Sequence, residues 1–358
     1  MKALFLLKIP PPYGGGEIVN AYLYEKLKDK YNFITIKRND HSKSDQGLLT
    51  ASNTFSSLKI IWQTFIYILT KKPDKLFLGI SKDKFAFIRD SIIIHFAWLF
   101  NVKVIGDLHG MSFTFQEEKL MKRILLKTLN KVYSIRVLSK SIKTNLLDLG
   151  YKGNLFVVDN GIKREWKHKD YNEEILSTLN LLYLGAISES KGFLHVLNLL
   201  IELNKTKEAR VKLNVIGGWK SAEFKNYCQK KISLNQLNDI IVFHGILVDE
   251  KKWIKIMENN ILLHFSNWDG QPLTIIECMS VGIPTIATKI GAIPEMITDK
   301  VNGFLIEDPI TDGKIIIKDL LKNKNIILEE ISKNCITTYE SRFTIDRYVK
   351  SIEDLIRN

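Results

Sequence analysis

The sequence predicts two doubly wound α/β domains, each a parallel sheet wrapped by helices. Three observations carry that expectation. Short apolar runs alternate with longer amphipathic ones through most of the chain; the alternation pauses in a polar, linker-like stretch, "REWKHKDYNEE" at 164–174, and then restarts. At 358 residues the chain also exceeds what one hydrophobic core usually organises. The first domain is expected over residues 1–162, completed by a C-terminal helix at 340–358, and the second over 163–339.

The elements follow in order. "KALFLLKI", "NFITIKR", "DKLFLGI", "VKVIGDLHG", "YSIRVLS" and "LFVVDNG" are short, nearly continuous apolar runs, as strands covered on both faces require. Between them, "EIVNAYLYEKLKDKY", "SLKIIWQTFIYILTKK", "FIRDSIIIHFAWLFN", "EKLMKRILLKTLNKV" and "KSIKTNLLDLG" have helical length, with a polar loop expected near 39–57. The second half repeats the scheme from "LNLLYLGAI" through "VKLNVIGGW", "IIVFHGI", "NILLHFS" and "PTIAT" to "GFLIE". The terminal "YESRFTIDRYVKSIEDLIRN" reads as an amphipathic helix with Phe343, Tyr348, Ile352 and Leu355 near one face. In open α/β sheets ligands sit at the carboxyl ends of strands, so the two domains are expected to face a cleft that holds the site.

Composition narrows the function. With 45% apolar and 25% charged residues, the chain reads as soluble and globular. Cys228, Cys278 and Cys335 lack metal-type or pairing spacing, which suits a reducing, cytoplasmic compartment. The start, "MKALFLLKIPPP", resembles a first strand more than a signal peptide, and "IIWQTFIYIL" and "SIIIHFAWLF" are each about half of the ~20 residues a spanning helix needs. Charge is lopsided: residues 1–164 hold 27 Lys and Arg against 13 Asp and Glu, the remainder 25 against 26. A basic half suggests an anionic partner, either nucleic acid or an acidic membrane surface, or else a lysine-rich solvated face. No nucleic-acid recognition motif accompanies the charge, which disfavours nucleic acid. In "EKLMKRILLKTLNKV", Lys119, Lys122, Arg123, Lys127 and Lys131 recur at helical spacing beside Leu120, Ile124, Leu125 and Leu129, a pattern expected of a helix lying on an anionic bilayer or of a solvated helix packing its leucines inward.

Several residues have the chemistry of a phosphate and sugar site. Gly14, Gly15 and Gly16 follow the first strand, where glycine lets backbone N–H groups approach an anion at a helix start. Gly185 ends a strand, and Lys191 opens the next helix as a point charge suited to a diphosphate. His109 follows a first-domain strand in "VIGDLHG". In "SNWDGQPLTIIECMSVGIPTIATKIGAIPE", Asp269 sits in the loop and Glu277 about two turns into the helix; the one can bind sugar hydroxyls and the other a ribose diol, or they can cap a helix and pair with a lysine.

Together these segments resemble a GT-B glycosyltransferase of the retaining, glycogen-synthase-related type, glycosyltransferase family four, whose two domains are Rossmann-like. "PPPYGGGE" resembles the N-terminal glycine loop, "DLHG" the cleft histidine, "VVDNGI" the Asn-Gly interdomain turn and "LGAISESKG" the diphosphate loop. "VIGG", with Gly217, and "FHGIL", with Gly245, resemble the nucleotide-base pocket; "DGQPLTIIE", with Gly270, Leu273 and Thr274, resembles the Glu-x7-Glu motif, and "SRFTI" the segment that crosses back onto the first domain. Two departures stand out. Asp269 replaces the first glutamate, and Ala186 replaces the arginine usual five residues before the loop lysine; Lys220, Arg136 and Lys163 are candidates to compensate.

The resemblance implies transfer of a sugar from a nucleotide diphosphate sugar to an acceptor hydroxyl with retention. Glu277 would hold the ribose, Lys191 and the glycine-loop amides the diphosphate, and Asp269 and His109 the transferred sugar, with no protein nucleophile. No Asp-x-Asp motif is present, so catalysis without a metal or other cofactor is expected. The expected acceptor is a saccharide, above all a lipid-linked one in cell-surface polysaccharide or glycolipid synthesis, met by a cytoplasmic protein peripheral to the inner face of the membrane. A nucleotide-sugar epimerase of the same fold and a nonenzymatic sugar-nucleotide-binding protein are the alternatives.

Overall fold

The computed structural model describes residues 1–11, 14–36, 51–110, 113–115, 118–167, 169, 178–206 and 210–358, the side chains of 51–53, 206 and 323–326 excepted. Pro12 and Tyr13 of the glycine loop, most of the expected polar loop near 39–57 and much of the 164–174 linker lie outside the described residues. The chain divides into two compact units, 1–161 with 345–358, and 162–344.

The first unit runs β1 (Ala3–Lys8), α1 (Gly15–Leu27), β2 (Asn32–Ile36), α2 (Ala51–Lys71), β3 (Lys75–Gly79), α3 (Lys84–Leu99), β4 (Lys103–Leu108), α4 (Lys119–Leu129), β5 (Ser134–Val137), α5 (Lys140–Leu149) and β6 (Asn154–Val157). Every neighbouring pair is parallel, in the order β2-β1-β3-β4-β5-β6. The order reverses beside β1, which makes the loop after β1 a topological switch point. Helix ends follow local chemistry: Ser139 caps α5 by accepting the Ile142 N–H at 3.1 Å, and Gly150, at φ +104°, closes it in the left-handed region. Residues 51–57, expected within a loop, are helical; the buried Ile60, Thr64 and Ile68 recur at helical spacing and anchor α2 from its middle onward.

The second unit runs β7 (Leu179–Leu184), α6 (Phe193–Thr206), β8 (Val211–Ile216), α7 (Ala222–Leu234), β9 (Ile241–Gly245), α8 (Asp249–Met257), β10 (Ile261–His264), α9 (Leu273–Ser280), β11 (Thr285–Thr288), α10 (Ile293–Met296), β12 (Phe304–Ile306) and α11 (Thr311–Thr338). Its sheet is again wholly parallel, β12-β11-β10-β7-β8-β9, so the switch point lies between β7 and β10.

The last helix, α12 (Ile345–Arg357), belongs to the first unit. Tyr348, Ile352 and Leu355 are buried there, and Lys26 pairs with Asp346 at 3.0 Å. The single amphipathic helix expected over 339–358 is therefore two pieces. Tyr339–Phe343 forms a π-helical turn in the second unit, where Phe343 is fully buried and its carbonyl accepts the Ile162 N–H at 3.0 Å.

Helix α4 buries Met121, Leu125 and Leu129 in the first unit's core. Its leucine side therefore faces the protein, and the expectation that Leu125 and Leu129 would neighbour a bilayer does not hold. Lys119, Lys122, Arg123 and Lys127 are exposed, as is Leu120.

Candidate functional site

Two groups of polar side chains stand at strand carboxyl ends, one in each unit. In the first, Gly14 is the N-cap of α1 and Gly15 and Gly16 open the helix. Gly16 lies against the His109 ring, where an added Cβ would sit 3.5 Å from Cγ, so the glycine loop and the residue after β4 meet. His109 Nε2 is 2.7 Å from Oδ2 of the fully buried Asp107. An ionised carboxylate only accepts, so Nε2 carries a proton and donates it to Asp107. The other Asp107 oxygen accepts from Arg136 Nη1 at 2.8 Å, while Arg136 also donates to Asn160 Oδ1 and the Val158 carbonyl and stacks on Tyr348 of α12. Burial opposes ionisation of Asp107, but His109 and Arg136 overcome it and hold the carboxyl well below the usual range. Arg136 is thus an internal counter-ion, fully buried and committed, and cannot compensate for Ala186.

In the second unit, the loops after β7 and β10 converge. Asp269 Oδ1 accepts from Lys191 Nζ at 2.5 Å and Oδ2 from His264 Nε2 at 3.0 Å. Burial pushes the Asp269 carboxyl up, but His264 and Lys191 outweigh it and bring the group down to about 2. Two glycines permit the approach of the loops. At Gly192 (φ +72°) a Cβ would fall 1.8 Å from the Phe265 carbonyl oxygen, and at Gly291 (φ +54°) 2.0 Å from that of Asp269; no other residue fits either place. Asn267 N–H donates to the Ser190 carbonyl at 3.0 Å, tying the two loops.

Glu277 lies one turn into α9, nearer its start than expected, and is 9% exposed. Its Oε2 accepts from Lys252 Nζ of α8 at 2.7 Å. The expected lysine pairing and a ligand role coexist in this geometry, since a carboxylate has further acceptor sites. Leu273 opens α9 and is buried, and the buried Thr274 hydroxyl has no protein partner. Pro272 at the N-cap leaves the first turn of α9 without a side-chain cap, next to Gly270.

The expected base-pocket glycines line up along the same edge. Gly217 N–H donates to the Gly245 carbonyl at 2.8 Å, and a Cβ on Gly217 would strike the Gly185 carbonyl, whereas Gly185 and Gly245 border open space. Trp219 and Phe243, 5.4 Å apart, stand beside them and were not singled out in the sequence. Lys220 is exposed and its N–H bonds to the Ile187 carbonyl at 3.1 Å, which puts it beside the Ala186 loop. Lys163 is exposed and pairs with Glu165 at 3.5 Å.

Sequence reasoning also missed Asp107, His264 and Lys252. The first had a signal, the Asp-x-His spacing; the others lie 5 residues from Asp269 and 25 from Glu277, where sequence shows no pairing.

Two six-stranded parallel sheets with ligand-type residues at the strand ends define a GT-B fold. HepE of Anabaena in complex with UDP-glucose has the same fold, with a TM-score of 0.77 at 14% identity over all of both chains. Residues 164–338, just under half of the chain and most of the second unit, match the family model described as glycosyl transferases group 1. An uncharacterized 41.2 kDa protein in the cps region of Klebsiella pneumoniae is 23% identical over 222 residues, 57% of each chain, so the match spans little more than half of that relative. The Escherichia coli UDP-Gal:alpha-D-GlcNAc-diphosphoundecaprenol alpha-1,3-galactosyltransferase is 34% identical over 91 residues, 25% of this chain and 23% of that protein.

Proposed function

We propose that this chain is a retaining glycosyltransferase of family four that moves a sugar from a nucleotide diphosphate sugar to a saccharide hydroxyl in cell-surface polysaccharide synthesis. The observation that carries the reading is the gathering, at the β7–β10 switch point, of a cation on a diphosphate-type loop paired with the partly buried Asp269, and of the buried Glu277 on the helix that follows. Lys191 stabilises the charge that grows on the leaving phosphate. Asp269 orients the transferred sugar; with both oxygens engaged by Lys191 and His264, it suits positioning rather than nucleophilic attack. Glu277, steadied by Lys252, holds the ribose, and Trp219 and Phe243 offer faces to the base. Acceptor recognition falls to the first unit, where His109 is held by Asp107.

The acceptor in this proposal is a lipid-linked saccharide. The E. coli relative is named for such an acceptor, and the excess of basic residues in the first 164 favours a protein that works against an anionic inner membrane face from the cytoplasm. No metal is required in the proposed step, so turnover is expected to survive chelation by EDTA. Ala186 supports a second reading, a protein that binds the nucleotide sugar without transferring it.

A panel of UDP-, GDP- and ADP-sugars, read first by thermal shift and then by turnover with a polyprenyl-diphosphate saccharide, tests both. One donor should stabilise the fold and be consumed. Stabilisation with no transfer selects the binding protein, and interconversion of the free donor sugar selects the epimerase.

A further inference from the structure

Helices α2 and α3 pack side by side through the rings of Phe65 and Phe96, stacked 3.7 Å apart. Their inner sides bury Ile60, Ile68, Ile93 and Ile94 in the first unit's core. The outer sides are apolar too. On α2, Phe55, Leu58, Trp62, Ile66 and Leu69 are exposed, Trp62 at 66%, and their spacing confines them to an arc of roughly 80°. On α3, Phe85, Ile88, Ile92 and Leu99 recur in the same way. A groove of about 460 Å³ runs between the two stripes, lined by Phe65, Ile92, His95, Phe96 and Leu99 with Ser91. A continuous apolar ridge of this kind marks a surface that something covers.

The surrounding charge selects the occupant. Residues 51–72 contain no acid and include Lys59, Lys71 and Lys72, all exposed. The one carboxylate within α3, Asp90, is buried against Arg89 and the Ser81 N–H. The exposed acids among the described residues nearby stand beyond the helix ends: Asp74, which accepts the Lys2 N–H, Asp83, and Glu118, which is neutralised by its ion pair with Lys84 at the start of α3. On the far side of α3, the Lys131 ammonium stands 3.1 Å over the Trp98 ring, and the basic face of α4 continues the positive field. A second copy would bring these lysines against one another. Bulky aliphatic and tryptophan side chains flanked by lysine suit instead the headgroup layer of an anionic bilayer, where rings settle at the interface and lysines meet lipid charge. Among the described residues no helix is long and apolar enough to cross a membrane.

We infer that α2 and α3 form a docking ridge that inserts into the headgroup region of an anionic bilayer. This names the surface for the membrane contact proposed above, and it needs none of the donor chemistry. The test sediments the full chain with vesicles of phosphatidylcholine alone or with phosphatidylglycerol added. Binding should require phosphatidylglycerol, and Trp62→Glu with Ile66→Glu should weaken it about tenfold or more, the loss expected from one large apolar side chain left unburied. Lys122→Glu, Arg123→Glu and Lys127→Glu together should lower the preference for phosphatidylglycerol and its salt sensitivity. Trp62→Phe, a substitution the fold tolerates, should keep binding while removing most of the fluorescence quenching by brominated lipid. The donor-induced thermal shift should be the same in every variant, which separates failure of this inference from failure of the sugar-transfer reading. Unchanged sedimentation of the glutamate variant, no loss of quenching in Trp62→Phe, or a dimer in ultracentrifugation that the glutamate variant dissolves would overturn it.

Discussion

The first unit sinks its charges and the second holds them at the rim. Asp107 and Arg136 are both fully buried and lock His109 from behind, whereas the Lys191 side chain is 37% exposed and meets Asp269 at the mouth of two loops. A fully buried pair is costly to break because the survivor is stranded in low dielectric; where the cation is partly exposed, as at Lys191, removing it costs less and its charge stays available to a ligand. The two units thus separate rigidity from chemistry. Comparable substitutions should act on folding in one and on turnover in the other.

The largest effect is expected at Asp107. Asp107→Ala leaves Arg136 buried without its counter-ion and should cost about 3 to 5 kcal/mol in the first denaturant transition. Asp107→Asn should cost less, yet still perturb His109 and shift the pH profile of turnover. A loss below about 1 kcal/mol for the alanine variant would break the contrast between the units. Next comes Lys191→Ala, which should lower kcat about 10²- to 10³-fold, as for removal of a group that stabilises developing charge, while moving stability by less than about 1 kcal/mol. A kcat within about twofold would remove Lys191 from the diphosphate site.

Glu277→Ala should weaken donor binding in calorimetry by roughly 1.5 to 3 kcal/mol, the range for a hydrogen bond to a charged group, and unchanged affinity would sink the ribose assignment. Acid titration sharpens the comparison further. Asp269 is held at about 2, below its ordinary value of 3.8, so its contribution to stability is complete above the ordinary value and fades as pH falls toward 2. That contribution amounts to roughly 2 kcal/mol, and Asp269→Asn should flatten this part of the acid-unfolding curve. The smallest effect is expected at Ala186→Arg. With Lys220 on the adjoining loop, the added arginine should change turnover by less than about threefold; a large rise would mean that the missing cation limits the enzyme.

The architecture was legible because strand and helix periods are local signals. Runs such as "ALFLLK" in β1 and "ILLH" in β10 need both faces covered, and the amphipathic segments between them supply the cover. The ends of elements were less legible. α2 begins among small polar residues at Ala51, and the turn holding Phe343 looks continuous with α12 although the chain changes unit at Ile345. Within the site, the residues at strand ends could be named from glycine and charge patterns. Their partners could not, since Asp107–Arg136, Lys252–Glu277 and Lys191–Asp269 join positions 29, 25 and 78 residues apart. Sequence shows a charge; the fold decides whether it is sunk, as at Arg136, or offered, as at Lys191.

The most direct test of sugar transfer is proton NMR of the unsubstituted chain acting on the donor selected by thermal shift, with a polyprenyl-diphosphate saccharide as acceptor. The account predicts release of the nucleoside diphosphate together with a new anomeric signal whose coupling matches the configuration of the donor, and loss of both signals with Lys191→Ala. A product of opposite configuration would contradict retention, and a donor that binds yet yields no new anomeric signal would contradict the transferase itself.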